Sequence, residues 1–296
     1  MKCVVFLAVL LAAAVSPGQL LNTAEPAQDW KGDLQKQADA PTIHTMVGVT
    51  WDSKYIWRGF DVYDDESATH LTVDLNLFDS GFGVSAVGHR ANAGGFEDRE
   101  RWDGTVYYQN GFYAGESYAT NYRVGLVYYL YPELNSGQSM DMIEGHLILS
   151  WPKLLPIQGL QPSYALIAMG QADSPSILPD GGSGTLQIGM LDYGFAVPGI
   201  IPGSPDCVVT LHAELVYNDG VTITARRAGY YDWRVVHPNP DHGFSHAVLG
   251  ASADVPLSAD GRFLLTPSVY YQNTMTDTIN EDESEFWVSV GLRYLF

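Results

Sequence analysis

Cysteine is nearly absent: Cys3 and Cys207 are the only two in 296 residues. Cys3 lies in an apolar N-terminal run read below as a removed leader. The remaining chain then has one thiol, which excludes an intramolecular disulfide frame. Cys207 sits on an apolar strand face, where a small hydrophobe is the expected reading. Beyond the leader, no stretch reaches the roughly 18 consecutive apolar residues of a membrane-spanning helix. Basic residues are also scarce: 15 Lys and Arg stand against 34 Asp and Glu, for a formal charge of −19. That balance excludes a nucleic-acid partner, which needs a basic surface, and favours attraction to cations. Neither a G-x-S-x-G elbow nor a phosphate-cradling glycine loop occurs, so the signatures of a hydrolase and of a nucleotide-binding enzyme are both missing.

What is abundant is alternation. In residues 286–296, F-W-V-S-V-G-L-R-Y-L-F, every second residue from Phe286 to Phe296 is apolar, and the intervening set is mixed. A period of two gives a β-strand one greasy face. The segment resembles the closing strand of a bacterial outer-membrane β-barrel. That resemblance implies recognition of Phe296 by the barrel insertion machinery. At the other end, Met1-Lys2 precedes an apolar run at 4–15 and then small residues. This is the pattern of a secretory signal peptide, expected over 1–24 with cleavage between 14 and 24. Residues 25–44 are expected to be a flexible periplasmic lead-in, and 45–296 the folded domain.

Twelve strands are expected, at 45–58, 68–77, 82–90, 101–109, 117–130, 139–151, 159–169, 184–197, 207–218, 245–255, 262–272 and 283–296. Most have the length that crosses a bilayer when tilted. Connections after odd-numbered strands are longer than those after even-numbered ones, apart from near-equality around 131–138. That is the rule of short periplasmic turns and longer external loops. The long connection 219–244 contains V-T-I-T-A-R and Y-Y-D-W-R-V-V, which leaves open either a projecting hairpin or two further strands, giving fourteen. The fold class is therefore all-β: an antiparallel transmembrane barrel, placed in the bacterial outer membrane and bathed in its lipid. In lipid every backbone polar group needs an internal partner, and closure removes the unpaired edges of a sheet. Twelve strands enclose more space than their own side chains fill.

With the apolar faces outward, the inward set mixes charges of both signs. Symmetric hairpins would set His89 against Asp103, Asp103 against Arg123, and Arg123 against His146 with Glu144 diagonal. His212 and Glu214 continue the set on a later strand. This belt is expected to line the pore, either as a salt-bridge network of a wet interior or as a selectivity constriction. Lys54 and Arg58 are expected at the external rim. They lie in W-D-S-K-Y-I-W-R-G-F, where Ser53, Tyr55, Arg58 and Gly59 form S-x-Y-x-x-R-G. This arrangement resembles an early motif of the Gcw_chp family of exported proteins of unknown function, over residues 51–87. The resemblance implies an exported β-rich protein and carries no catalytic residue. Ser53, Tyr55 and Trp57 share the face of Val47 and Val49, so their aromatics are expected in an interfacial girdle.

Two loop clusters contain metal-ligating types. His237, Asp241, His242 and His246 occur in H-P-N-P-D-H-G-F-S-H, a spacing that matches no zinc pattern and reads as a stiff surface loop. The acidic runs 64–66 and 281–283 read as solvated loop charge. No metal site, cofactor or catalytic residue is expected. Ser150 and His146 share a strand face too far apart for a nucleophile–base pair. The leading functional expectation is passive diffusion of small polar solutes, with a preference for cations. A second is a non-conducting barrel whose loop residues Arg226, Arg227, Tyr230, Tyr231, Trp233 and Arg234 bind a partner or surface glycan. A third is a lipid-modifying enzyme using His146 or His212.

Overall fold

A computed structural model describes residues 43–133, 141–172, 183–221, 242–276 and 284–296. The leader, most of the lead-in and the loop residues Arg226, Arg227, Tyr230, Tyr231, Trp233, Arg234, His237 and Asp241 lie outside the described residues, as does the acidic run 281–283. The strands are β1 (Ile43–Asp52), β2 (Ile56–Trp57), β3 (Phe60–Asp61), β4 (Ala68–Leu77), β5 (Phe82–Ala91), β6 (Arg101–Phe112) and β7 (Thr120–Leu130). They continue as β8 (Met142–Ser150), β9 (Leu160–Gln171), β10 (Gly184–Val197), β11 (Cys207–Asp219), β12 (His242–Pro256), β13 (Phe263–Thr274) and β14 (Ser284–Leu295). Apart from β2 and β3, which pair with each other, they form one closed antiparallel barrel of twelve strands in sequence order, sealed by β1 against β14. Because β11 pairs directly with β12, no further strand stands between them, and the fourteen-strand alternative falls away. Among the described residues the only helix is a single 3-10 turn, Glu97–Arg99, and no helix is long and apolar enough to cross a membrane.

The closed sheet leaves its apolar face outside. Leu71 is 55% exposed, Leu211 47% and Val290 42%, where two stacked sheets would have shielded all three. A ring of such residues around an edgeless sheet is stable only in lipid. At the short-turn end, Phe82, Tyr108, Tyr122, Phe112, Tyr113 and Tyr118 form a chain of ring contacts on the outer surface. This is an aromatic girdle of the kind that anchors a barrel at the membrane interface. The seam closes beside it, where the Phe296 amide donates to the Thr45 carbonyl at 2.8 Å.

The inner face is less uniform than alternation implies. In β10 the apolar Leu186, Ile188 and Met190 point inward and are buried, while Gln187 and Gly189 face out. The first half of this strand is thus apolar on the inside, while further along Leu191, Tyr193 and Phe195 face out and Asp192 faces in. On β9 both faces are apolar: Ile167 is buried and Leu166 exposed. A period-two pattern says that a strand has two faces, not which one the lumen takes.

Gly83 marks a close approach inside the barrel. A Cβ there would lie 2.1 Å from the Tyr107 ring. That ring carries the Arg123 guanidinium 3.7 Å from its centre and donates its hydroxyl to Asp74 at 2.9 Å. Gly83→Val is expected to expel the ring and cost about 1–3 kcal/mol, the usual range for overpacking. A lowered urea midpoint in refolded protein would show it; an unchanged midpoint would mean that the ring has room to move.

Candidate functional site

The first strand stops at Asp52, six residues earlier than its sequence pattern predicts. Ser53 ends it: its amide donates to the Val288 carbonyl, and its hydroxyl accepts from the Val288 amide, each at 2.9 Å. With both edges of β1 already paired to β4 and β14, the chain leaves the sheet and turns into the lumen. There β2 and β3 form a small hairpin, Trp57 opposite Phe60. Arg58 and Gly59 are the two residues between them, at φ 51° and 90°. Two successive left-handed residues make the tight turn whose twist suits a hairpin, and glycine takes the second at no steric cost. Tyr55, Trp57, Phe60 and Tyr63 are consequently buried inside the barrel, at 5% exposure or less. The expected girdle role of Tyr55 and Trp57 is corrected: these rings face protein, not lipid.

The hairpin touches the wall nearly all the way round. On one side Tyr55 stacks on His89, 5.1 Å between centroids, and its hydroxyl accepts from Arg101 at 2.9 Å. Trp57 meets Tyr129 edge-on, and the Arg101 guanidinium lies 4.1 Å from the centre of the Trp57 ring. On the other side Ile56 packs against Val248, Tyr270 and Trp287, and the Gln272 amide donates to the Gly59 carbonyl at 2.8 Å. Arg58 crosses to Glu144 on β8, and the side chains of both are 1% exposed. Arg58 therefore lies deep in the lumen and not at the rim. Lys54 is nearer the outer surface, bound to Glu285 of the wall and Asp65 of the hairpin.

Burial of Lys54 works against its charge, but the carboxylates of Asp65 and Glu285 outweigh it and hold the ammonium charged. Asp61, Asp65 and Glu285 bring carboxylate oxygens within 4.8 Å of one another. This set has a resident cation in Lys54, so it needs no metal ion. Burial pushes the Asp61 carboxyl up to about 6, while a hydrogen bond from the Asp65 amide pulls it down.

The wall charges fall into three groups instead of one belt. His89 donates Nε2–H to Asp103 at 2.8 Å and shares a 2.8 Å contact between Nδ1 atoms with His70. Arg101 grips the same Asp103 through Nε and Nη2, at 2.7 and 3.0 Å. The second group joins Arg58, Glu144, Tyr129 and His146, whose Nδ1 is 3.2 Å from Glu144. The third joins His212, Asp192, Glu214 and His246. Arg123 belongs to none of these. It opposes Gln109 and Ile148 in register and lies on Tyr107, while Asp103 opposes Tyr129. β6 runs on to Phe112 and β7 begins at Thr120, so the hairpin folds about a connection at 113–119 instead of 110–116, and its pairings move away from the expected register.

Sequence reasoning passed over Arg101, Asp192 and Glu285. Arg101 and Asp103 stand two apart on one strand, a same-face pair of opposite charge that was visible. His246 was assigned to a surface loop, but β12 carries it into the lumen, 1% exposed. His246 continues the inward alternation of Val248 and Ser252, and the irregularity that follows, between Val216 and Tyr217 in the β11–β12 register, instead turns Phe244 outward. His242 stays outside, paired with Asp219.

Below the hairpin, toward the short turns, the inner wall is polar and half-buried: Asn76, Gln109, Asn121, Thr210, Ser252 and Arg293. The lumen thus has a polar vestibule at one end and a filled constriction at the other.

No family model matches the chain, and no curated protein matches it in sequence. Solved structures do share its closed barrel. The NanC porin aligns with 86% of this chain and 99% of its own, at 10% identity and a TM-score of 0.47. The outer membrane protein OprD from Pseudomonas aeruginosa aligns with 86% of this chain and 65% of its own, at 10% identity and 0.39. An anion-selective porin from Comamonas acidovorans aligns with 86% and 99%, at 12% and 0.34. These likenesses are distant in sequence and geometry. The closed sheet, lipid-facing apolar surface and aromatic girdle of the chain itself are the architecture of a bacterial outer-membrane barrel.

Proposed function

We propose that the barrel is an outer-membrane channel for small polar solutes, throttled by the hairpin of residues 53–67. The observation that supports this reading is how the hairpin is held. Inside the barrel it makes ion pairs, ring contacts and single hydrogen bonds, and its two strands pair only with each other. A structural plug fused into the wall would extend the sheet. The polar vestibule beneath gives solutes a wet path to the constriction. Porin-type neighbours are compatible with passage and do not specify a solute. Surrounding lipid and the insertion machinery, acting on Phe296, are the remaining partners in this reading. The residues of the S-x-Y-x-x-R-G motif build the throttle in this reading; no family model supports the resemblance of that motif to the Gcw_chp family.

A preference for cations is the finer part of the proposal. Lumenal carboxylates (Asp52, Asp74, Asp103, Glu144, Asp192, Glu214, Asp254, Glu285) outnumber Lys54, Arg58, Arg101, Arg123 and Arg293. Most of these charges are paired, so the excess is modest. In planar bilayers under a KCl gradient, the reversal potential is expected to show K⁺ favoured over Cl⁻ by roughly two- to fivefold. Equal permeability or an anion preference would remove the cation assignment while leaving the channel.

A further inference from the structure

We infer that His70 and His89 form an acid-operated latch, which holds the hairpin docked at neutral pH and releases it as the pH falls. The argument begins with a count of hydrogens. Nδ1 of His70 and Nδ1 of His89 lie 2.8 Å apart, a gap that holds one N–H and no more. Nε2–H of His89 donates to Asp103 at 2.8 Å. Nε2 of His70 lies 3.1 Å from Oδ2 of Asp52, an ionic contact without hydrogen-bond alignment. Three ring hydrogens therefore fit: one on each Nε2 and one shared between the Nδ1 atoms. Two neutral rings carry two, so the third makes the pair a single cation. A fourth would set two N–H groups head to head, and the rings would have to part.

The surrounding charge sets the same limit. The charged and titratable groups that face the pair are Asp52 of β1, Arg101 and Asp103 of β6, and Tyr55 of the hairpin. Tyr63 lies against Tyr55, and Tyr129 and Tyr131 lie against Arg101. Phenols titrate near pH 10 in water, at about that value, and carry no charge in acid. Two carboxylates thus face Arg101 and a singly charged pair, and the site is balanced. A second charge on the rings would stand unpaired, because two nitrogens of Arg101 already hold Asp103. His70 and His89 are 1% and 3% exposed, so water does not shield it.

What yields is the hairpin. Asp52, Arg101 and Asp103 stand on β1 and β6, strands paired to neighbours on both edges. Tyr55 lies outside the sheet, and its ring rests on both imidazoles, 4.6 Å from His70 and 5.1 Å from His89 between centroids. Rings that part press against it. Undocking makes room for the fourth hydrogen, so the docked form binds one proton fewer. Its stability is then lost as the pH falls, by up to roughly tenfold in the docking equilibrium per pH unit.

The latch rests on the reading of the hairpin as a throttle only for its effect on passage. In refolded full-length protein in detergent, cleavage within residues 53–67 is timed between about pH 7.5 and about pH 4.5, the range that spans imidazole titration. A free peptide of the same sequence, cut at each pH, removes the protease's own pH dependence. Conductance is followed over the same range in planar bilayers. Relative cleavage is expected to rise roughly tenfold or more on acidification, and conductance with it. His70→Gln, which removes the head-to-head conflict, should abolish most of the rise, and His70→Asn serves where His70→Gln does not refold. His44→Ala/His242→Ala, which removes the two exposed histidines among the described residues, should respond as wild type. A rise in cleavage without conductance at any pH would support the latch and count against the channel. Wild-type cleavage that ignores pH would overturn the latch. A rise that survives His70→Gln, or is lost with the exposed histidines, would overturn it equally.

Discussion

Replacing residues 54–66 with a short glycine-serine linker is expected to raise single-channel conductance roughly tenfold or more, because a twelve-stranded barrel encloses space that its wall side chains do not fill. The wall does not need the hairpin. β1 pairs with β4 from Ile43 to Asp52, and β14 flanks it on the other edge. The replaced segment removes Tyr55, Trp57, Phe60 and Tyr63 from the lumen, and frees Glu144 and Glu285 from their cationic partners. Each freed carboxylate then faces water, so the variant should also shift further toward cations. Retaining Ser53 preserves the stitch to Val288. Equal conductance in wild type and variant, with the variant shown to be folded, would mean that the lumen is closed by something else or that solutes do not use it.

Arg101→Met is expected to destabilise the docked hairpin by about 3–5 kcal/mol, the cost of stranding a buried charge. Arg101 binds Asp103 with two nitrogens, donates to the Tyr55 hydroxyl and lies against Trp57 and Tyr129. Removing it leaves Asp103 with only His89 inside a site 2% exposed or less. Limited proteolysis of residues 53–67 would read the release directly, and conductance would rise with it. The double variant Arg101→Met/Asp103→Leu should recover most of the loss, because deleting both members of a buried pair removes the stranded charge. If the double variant is as labile as the single one, the ring contacts of Arg101 hold the hairpin and its ion pair does not.

Much of the barrel was legible because lipid imposes a simple rule. β4 and β10 run over the same residues as their sequence patterns, and the other strands differ by a few positions at their ends. Leu71, Val73 and Leu75 alternate against His70, Thr72 and Asp74 since one neighbour is hydrocarbon and the other is the lumen. The rule fails where the lumen itself is apolar. Leu186 and Ile188 face a protein-filled interior, so their hydrophobicity points the wrong way for a lipid-facing assignment. It also fails at Tyr55 and Trp57, which continue the alternation of β1 after the chain has left the sheet. Local pattern cannot reveal that departure, because the Ser53–Val288 pairing that causes it joins residues at opposite ends of the chain.

Sequence by itself determined the closed antiparallel class and, on strands with one polar face, the outward apolar face, since each follows from period-two patterning and the need to satisfy backbone groups in lipid; the choice of twelve strands over fourteen waited for the pairing of β11 with β12. Only the tertiary structure decided what occupies the lumen. Arg58 meets Glu144 across the lumen because the closing pairing of β1 with β14, distant in sequence, ends β1 early. A strand ending early sends Arg58 from the rim to the centre.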